Sequence, residues 1–168
     1  MEIIAQIISI VAMIVSIFAM QFKTNRSMFI CRGVSGFLFS LSYFLLGAYT
    51  GAALNLINLL RSILVINKKT QGRSFMALII AIYATATFLT FGGYLSILVL
   101  LAQSAESFFM WGRNGKHIRY CQLFFVSPIW LFYNIMSFSI GGILAEVFVI
   151  VSTIVSFIRF RKTGFDKT

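Results

Sequence analysis

The chain has 168 residues, of which 60% are hydrophobic and only 11% are charged; its net charge is +10 and its mean hydropathy is +0.94. This balance excludes a soluble domain, because too few charged side chains are present to cover an apolar core. It indicates an integral membrane protein, and the lipid bilayer is therefore a predicted partner. The excess of basic residues does not indicate a nucleic-acid partner, since these residues fall in short segments between apolar runs.

Seven apolar segments follow one another along the chain, each close to the roughly 20 residues that a helix needs to cross a bilayer. They cover residues 3–21, 28–46, 50–67, 74–91, 94–111, 118–137 and 140–158. The single Pro and the absence of alternating ten-residue segments argue against a barrel of strands. We expect the first segment to be a span rather than a signal peptide, because Glu2 stands where such peptides are basic. The sequence therefore predicts an all-α membrane protein with seven transmembrane helices.

The positions of the basic residues predict how these helices are oriented. Lys and Arg follow spans one, three, five and seven, whereas the loops after spans two, four and six contain none. Of the fourteen basic residues, only Arg61 is placed inside a span. The residues placed after spans one and five are Lys23, Arg26, Arg32, Arg113, Lys116 and Arg119. Because cytoplasmic loops carry the excess of Lys and Arg, the N-terminus is predicted outside and the C-terminus inside.

The chain also contains an internal repeat of three helices. A shift of 90 residues superposes Tyr43 on Tyr133, and a shift of 91 superposes Asn55 on Glu146. Two parallel copies can have the same orientation only if one further helix joins them, so the fourth span is the predicted linker. The predicted divisions are a first repeat at 1–69, a linker helix at 70–92, a second repeat at 93–162 and a cytoplasmic tail at 163–168.

Two stretches carry a family resemblance: YFLLGAYTGAALNLINLLRS at 43–62 and WLFYNIMSFSIGGILAE at 130–146, the second followed by the basic IRFRKTG. Through them the chain resembles the YgjV type of bacterial inner-membrane protein over nearly its whole length. That resemblance implies a multi-pass protein of the bacterial inner, or plasma, membrane. In architecture, the arrangement of three, one and three helices resembles the SWEET sugar facilitators and the nicotinamide riboside transporters. This second resemblance implies a solute site between two triple-helix bundles.

Three ionisable residues fall inside the predicted spans: Arg61, Glu106 and Glu146. Such residues cost roughly 2.5–3.5 kcal/mol each, so they usually face the bundle interior and mark a site or a structural pair. Arg61 and Glu106 each lie seven residues from a basic residue at the end of their span, which puts both about 10 Å deep. We therefore predict an ion pair between them. It is either structural, with snorkelling of Arg61 as a variant, or part of an inner gate that breaks and re-forms.

A second polar layer is predicted near the midplane, at a depth of roughly 20 Å. The second repeat has Trp130 and Gln103 where the first has Ser40 and Met13, an imbalance that an asymmetric solute would explain. The predicted substrate-binding residues are Asn55, Gln103, Trp130, Asn134 and Glu146. The alternative is that the amides form hydrogen bonds between helices and Trp130 fills space.

Together these patterns predict a transporter of a small polar solute, either a facilitator or proton-coupled. Glu146 would be the counter-ion of a cationic solute, whereas Asn55, Asn134 and Trp130 would hold a neutral one. The alternative is a receptor or scaffold that does not transport. The sequence lacks the HExxH and GxSxG motifs and a glycine-rich phosphate loop, so we expect neither an enzyme nor a cofactor. Without clustered His, the two cysteines predict no metal site.

Overall fold

The computed structural model describes residues 2–67, 70 and 72–160, and the elements in these ranges are helices. The α-helices are α1 (Glu2–Gln21), α2 (Asn25–Leu45), α3 (Tyr49–Ile66), α4 (Arg73–Leu89), α5 (Tyr94–Trp111), α6 (Gly115–Cys121), α7 (Ser127–Met136) and α8 (Ile140–Arg159). A π-helix, Gln122–Val126, joins α6 directly to α7, so that these three form one rod.

The predicted all-α membrane fold is confirmed by these elements. Five helices (α1, α2, α3, α5 and α8) are long and apolar enough to cross a membrane, and α4 is a slightly shorter apolar helix. With the divided rod of α6 and α7 counted once, seven rods fit the seven predicted spans. The predicted tail at 163–168 lies outside the described residues.

The helices pack as two groups of three with α4 beside them. In each group the middle rod packs on both neighbours: α2 on α1 and α3, and the α6–α7 rod on α5 and α8. The groups meet along two seams, α1 with α8 and α3 with α5, and α4 covers the second seam. The space between the two groups is lined by polar side chains of both.

Hydrogen bonds at the helix ends show which loops lie together. At one end the Asn25 side-chain amide donates to the carbonyl of Arg113 at 3.0 Å, so the α1–α2 and α5–α6 loops meet there. At the other end the hydroxyl oxygens of Thr50 and Ser96 are 3.2 Å apart, which joins the starts of α3 and α5. The first pair of loops contains Lys23 and Arg113, whereas the described loops at the other end contain no basic residue. We call the first end the basic end.

The π-helix is a departure from the continuous helix predicted for 118–137. The backbone N–H of Ser127 donates to the carbonyl of Gln122, five residues earlier, so the turn is one residue wider than in an α-helix. Pro128 gives a physical reason, because a proline inside a helix lacks an N–H and its ring clashes with the carbonyl four residues before it. A widened turn removes that clash.

Two arginines that the sequence analysis groups with the basic loops lie inside helices, within the predicted spans 28–46 and 118–137. Arg119 is completely buried in α6; it donates to the carbonyls of Met20 and Phe22 at 3.2 and 2.9 Å. It also donates to the Ser156 hydroxyl at 3.1 Å and so ties α6 to α8. Arg32 lies about two turns into α2. The loop assignment was wrong because hydropathy does not distinguish a solvated arginine from one whose long side chain reaches buried polar groups.

Candidate functional site

A cavity of about 80 Å³ lies between the two groups of helices. Its wall includes every residue that the sequence analysis singles out, namely Asn55, Arg61, Gln103, Glu106, Trp130, Asn134 and Glu146. Pockets for drug-sized ligands measure about 300–1,000 Å³, so this cavity has room only for a small solute or a few water molecules. The structure thus brings residues from both halves of the chain to one small polar space.

A cluster of charged side chains forms the part of the cavity wall nearer the basic end. Arg61 Nη2 donates to Glu106 Oε2 at 2.6 Å, and both residues are at most 2% exposed. Arg32 forms an ion pair with the other carboxylate oxygen, Oε1. Arg61 Nη1 also donates to Gln103 Oε1 at 3.1 Å and to the Ser107 hydroxyl at 3.2 Å. Because each buried charge has an opposite partner, the cluster can hold α2, α3 and α5 together.

Arg32 is the charged residue of the cavity wall that the sequence analysis missed. Its Nη2 donates to Gln122 Oε1 at 2.7 Å, and the amide nitrogen of Gln122 donates in turn to the Ser127 hydroxyl at 2.8 Å. Arg32 thereby connects α2 to the π-helix across the interior. The repeat contained a signal for this contact, because the 90-residue shift superposes Arg32 on Gln122 at the same depth of the two middle rods.

Tyr43 and Trp130 form another part of the wall, and Tyr133 packs against both of them. The rings of Tyr43 and Trp130 are stacked with centroids 6.0 Å apart, and Tyr133 meets both edge-on. We call these three residues the aromatic cluster. The Tyr43 hydroxyl donates to Asn134 Oδ1, and the Tyr133 hydroxyl accepts from the backbone N–H of Gly51 at 2.9 Å. The aromatic cluster therefore joins α2 and α3 of the first group to α7 of the second.

Two of the predicted amide ligands are largely engaged by other protein groups. Asn55 Nδ2 donates to the carbonyl of Gly51 at 2.9 Å, within its own helix, and Asn55 Oδ1 accepts from Asn58 at 3.4 Å. Gln103 Oε1 is held by Arg61. A direct role for Asn55 or Gln103 in solute binding stays a prediction, and each amide retains donor or acceptor capacity beyond these bonds.

Glu146 differs from these amides. Its Oε2 atom is buried and has no hydrogen-bond partner within the described part of the chain, and the same is true of Nη1 of Arg32. Both residues line the cavity. A buried polar atom without a hydrogen bond is unfavourable, so these two atoms leave each side chain with unused capacity to bind a polar group, although Arg32 also pairs with Glu106 through Nη2.

These helices and their polar cavity define a multi-pass membrane protein with an internal site. The chain belongs to the Imp-YgjV family of bacterial inner membrane proteins, whose family model matches residues 3–164. The resemblance carried by residues 43–62 and 130–146 is thus confirmed, as is the bacterial inner membrane as its location. No curated protein and no solved structure matches the chain.

Proposed function

We propose that the protein transports a small polar solute, and that its two three-helix groups move against each other around the central cavity. The observation that carries this proposal is the polar cavity at the junction of the groups, with charged residues contributed by both. Polar side chains are costly inside a membrane and usually mark a pathway or a site. A dry, ligand-free interior would instead favour the receptor or scaffold.

Matched contacts at the two seams support an origin of the groups as two copies of one unit. On the α1–α8 seam, Ser152 Oγ donates to the carbonyl of Ile17 at 2.9 Å. On the α3–α5 seam, Arg61 donates to Ser107 at 3.2 Å, and these residues are the repeat equivalents of Ser152 and Ile17. A second matched pair of contacts joins Gln6 to Gly141 and Ser96 to Thr50. This symmetry favours a build like that of the SWEET facilitators, in which two related bundles enclose a solute.

The contacts on either side of the cavity support a gating mechanism. Near the basic end, Arg32 and Arg61 of the first group hold Glu106 of the second. Towards the other end, Tyr43 holds Asn134 and Gly51 holds Tyr133. Breaking the first set would open the cavity to the basic end, and breaking the second would open it to the opposite end. Alternation between the two is the proposed transport cycle, with the basic end in the cytoplasm.

Accessibility of the cavity from both faces of the membrane tests transport without a known solute. A single Ser16→Cys substitution in the cavity wall, on a background without Cys31 and Cys121, is treated with a small impermeant thiol reagent. Intact cells expose one face of the membrane and inverted vesicles expose the other. A transporter is modified in both preparations, because its cavity opens alternately to each side.

A matched control is Ile154→Cys, which lies on the outer surface of α8 and should remain unmodified in lipid. Modification of the Ser16→Cys variant from one face only would contradict transport and would favour a receptor.

A further inference from the structure

We propose that the cavity binds a small zwitterion, that is, a solute that carries an ammonium group and a carboxylate a few bonds apart. The inference rests on the proposed transport function and names the class of solute. It is carried by the placement of Arg32 and Glu146 on the wall of one small cavity, each with a polar atom that has no partner in the described ranges.

Arg32 supplies the positive end of the site. Glu106 is paired with both Arg32 and Arg61, so a single carboxylate faces two guanidinium groups and the cluster carries one positive charge in excess. Of the two arginines, Arg61 is 1% exposed and both of its terminal nitrogens donate to protein groups, which leaves only its Nε unpaired. The Arg32 side chain is 14% exposed and has an unpaired terminal nitrogen, Nη1. A guanidinium N–H forms its strongest hydrogen bonds with a charged acceptor, which makes a carboxylate the natural partner for Nη1 of Arg32.

Glu146 supplies the negative end. In the part of the chain that the structure describes, both ion pairs are made by Glu106 and none by Glu146. The neighbouring cavity wall on α8 is uncharged, formed by Gly142, Ala145 and Val149. Trp130 also lines the cavity, and the face of an aromatic ring attracts a cation. An ammonium group is the partner that satisfies the carboxylate and the ring together.

The two charged ends of the cavity favour one class of solute over the others. A neutral sugar or polyol leaves Glu146 without a charged partner and the excess positive charge beside Arg32 without a counter-ion, and a site built for charged groups rejects a ligand that cannot pair with them. A simple cation satisfies Glu146 alone, and a simple anion satisfies Arg32 alone. Only a solute with both charges satisfies both ends, and a cavity of about 80 Å³ requires those charges to be close together.

Two chemical sources share this pattern: an α-amino acid, with a primary ammonium, and a betaine, with a quaternary one. The test measures thermal stability and calorimetric binding of the purified full-length protein with glycine, glycine betaine, choline, acetate and glycerol. We expect at least one of the two zwitterions to raise the melting temperature with concentration, and choline, acetate and glycerol to have little effect. Binding of glycine alone assigns a primary ammonium, and binding of glycine betaine alone assigns a quaternary one.

Variants connect the binding to the two named residues. Glu146→Gln and Arg32→Gln should each weaken zwitterion binding at least about 30-fold, the effect expected when one partner of a buried charge pair is removed. The controls Glu2→Gln and Arg26→Gln make the same change of charge outside the cavity and should bind normally. If Arg32→Gln unfolds, Arg32→Lys keeps the charge but loses the fork of donors, and weaker binding is again expected.

The proposal is overturned if choline or acetate stabilises the protein as strongly as the zwitterions, if no zwitterion binds, or if Glu146→Gln binds as the unaltered chain does. These outcomes are distinct from a failure of the transport proposal. Modification of the Ser16→Cys variant from both faces without zwitterion binding would support transport of a different solute. Zwitterion binding together with modification of the Ser16→Cys variant from one face only would support the binding site but contradict transport.

Discussion

Glu106 contacts two arginines from different helices, and this makes the members of the charged cluster unequal. Arg61→Gln leaves Glu106 paired with Arg32, whereas Glu106→Gln leaves two guanidinium groups together without a counter-ion. Removing one partner of a buried pair typically costs about 3–5 kcal/mol. We expect Glu106→Gln to reach that range and Arg61→Gln to cost less. Melting temperatures of the purified variants in one detergent check the order, and an equal or reversed order would contradict the shared pairing.

The coupling between Arg61 and Glu106 gives a second prediction. Because Arg61 Nη2 and Glu106 Oε2 are 2.6 Å apart, the double variant should be less destabilised than the sum of the single variants. The same melting measurements complete the double-mutant cycle. Strictly additive losses would indicate that the two side chains do not interact in the membrane-embedded protein.

For single residues, the sequence predicted the depth of a side chain in the membrane better than whether that side chain faces the interior or solvent. The rise of an α-helix places Arg61 and Glu106 at one level, and the structure finds them in contact. Hydropathy could not give the role of Arg32, because a basic residue near the end of a span has the same hydropathy whether it faces solvent or the interior. The superposition of Arg32 on Gln122 in the repeat was the available signal, and the contact between the two side chains shows that Arg32 faces the interior.

At the scale of the helices, the seam between α1 and α8 is unusually close. A Cβ atom at Gly141 would lie 2.5 Å from Cβ of Ser9, whose side chain is completely buried. Gly141→Ala should therefore force the helices apart and destabilise the protein by about 1–3 kcal/mol. Gly92→Ala is the matched control, since its nearest neighbour there is Ser96 Oγ at 3.8 Å. Equal melting temperatures of the two variants would show that α1 and α8 can move apart without loss of stability.

Hydropathy predicted the existence of the seven rods but not the internal hydrogen bonding of the sixth. Predicted span one, 3–21, and α1 (Glu2–Gln21) differ by one residue at the start, because apolar length is what the bilayer selects. A π-helix does not change the length of an apolar segment, so hydropathy could not predict it, and Pro128 was its only local signal. Which faces of the rods meet depends on side-chain packing between distant segments, and periodicity within one segment does not report it.

For the whole molecule, the orientation in the membrane is open to a direct test. Single cysteines at Gly92 and Ser137, on a background without Cys31 and Cys121, should react with an impermeant thiol reagent in intact cells. A cysteine at Lys23, in a loop of the basic end, should not react until the membrane is opened. The reason is that basic loops are retained in the cytoplasm during insertion. Labelling at Lys23 in intact cells would reverse the proposed orientation.

The π-helix also fixes the rotational phase of the cavity wall. In an unbroken α-helix, residues eleven apart point in nearly the same direction, about 20° from each other. Arg119 and Trp130 are eleven apart, yet Arg119 is directed at the end of α1 and at α8, whereas Trp130 lines the cavity. The extra residue in the π turn supplies the difference in angle. Deleting Phe124, which is 71% exposed, would turn the rod beyond it by about 100° and carry Trp130 away from the solute space. The one extra residue of the π turn thus determines which side chains beyond it line the cavity and can contact a solute.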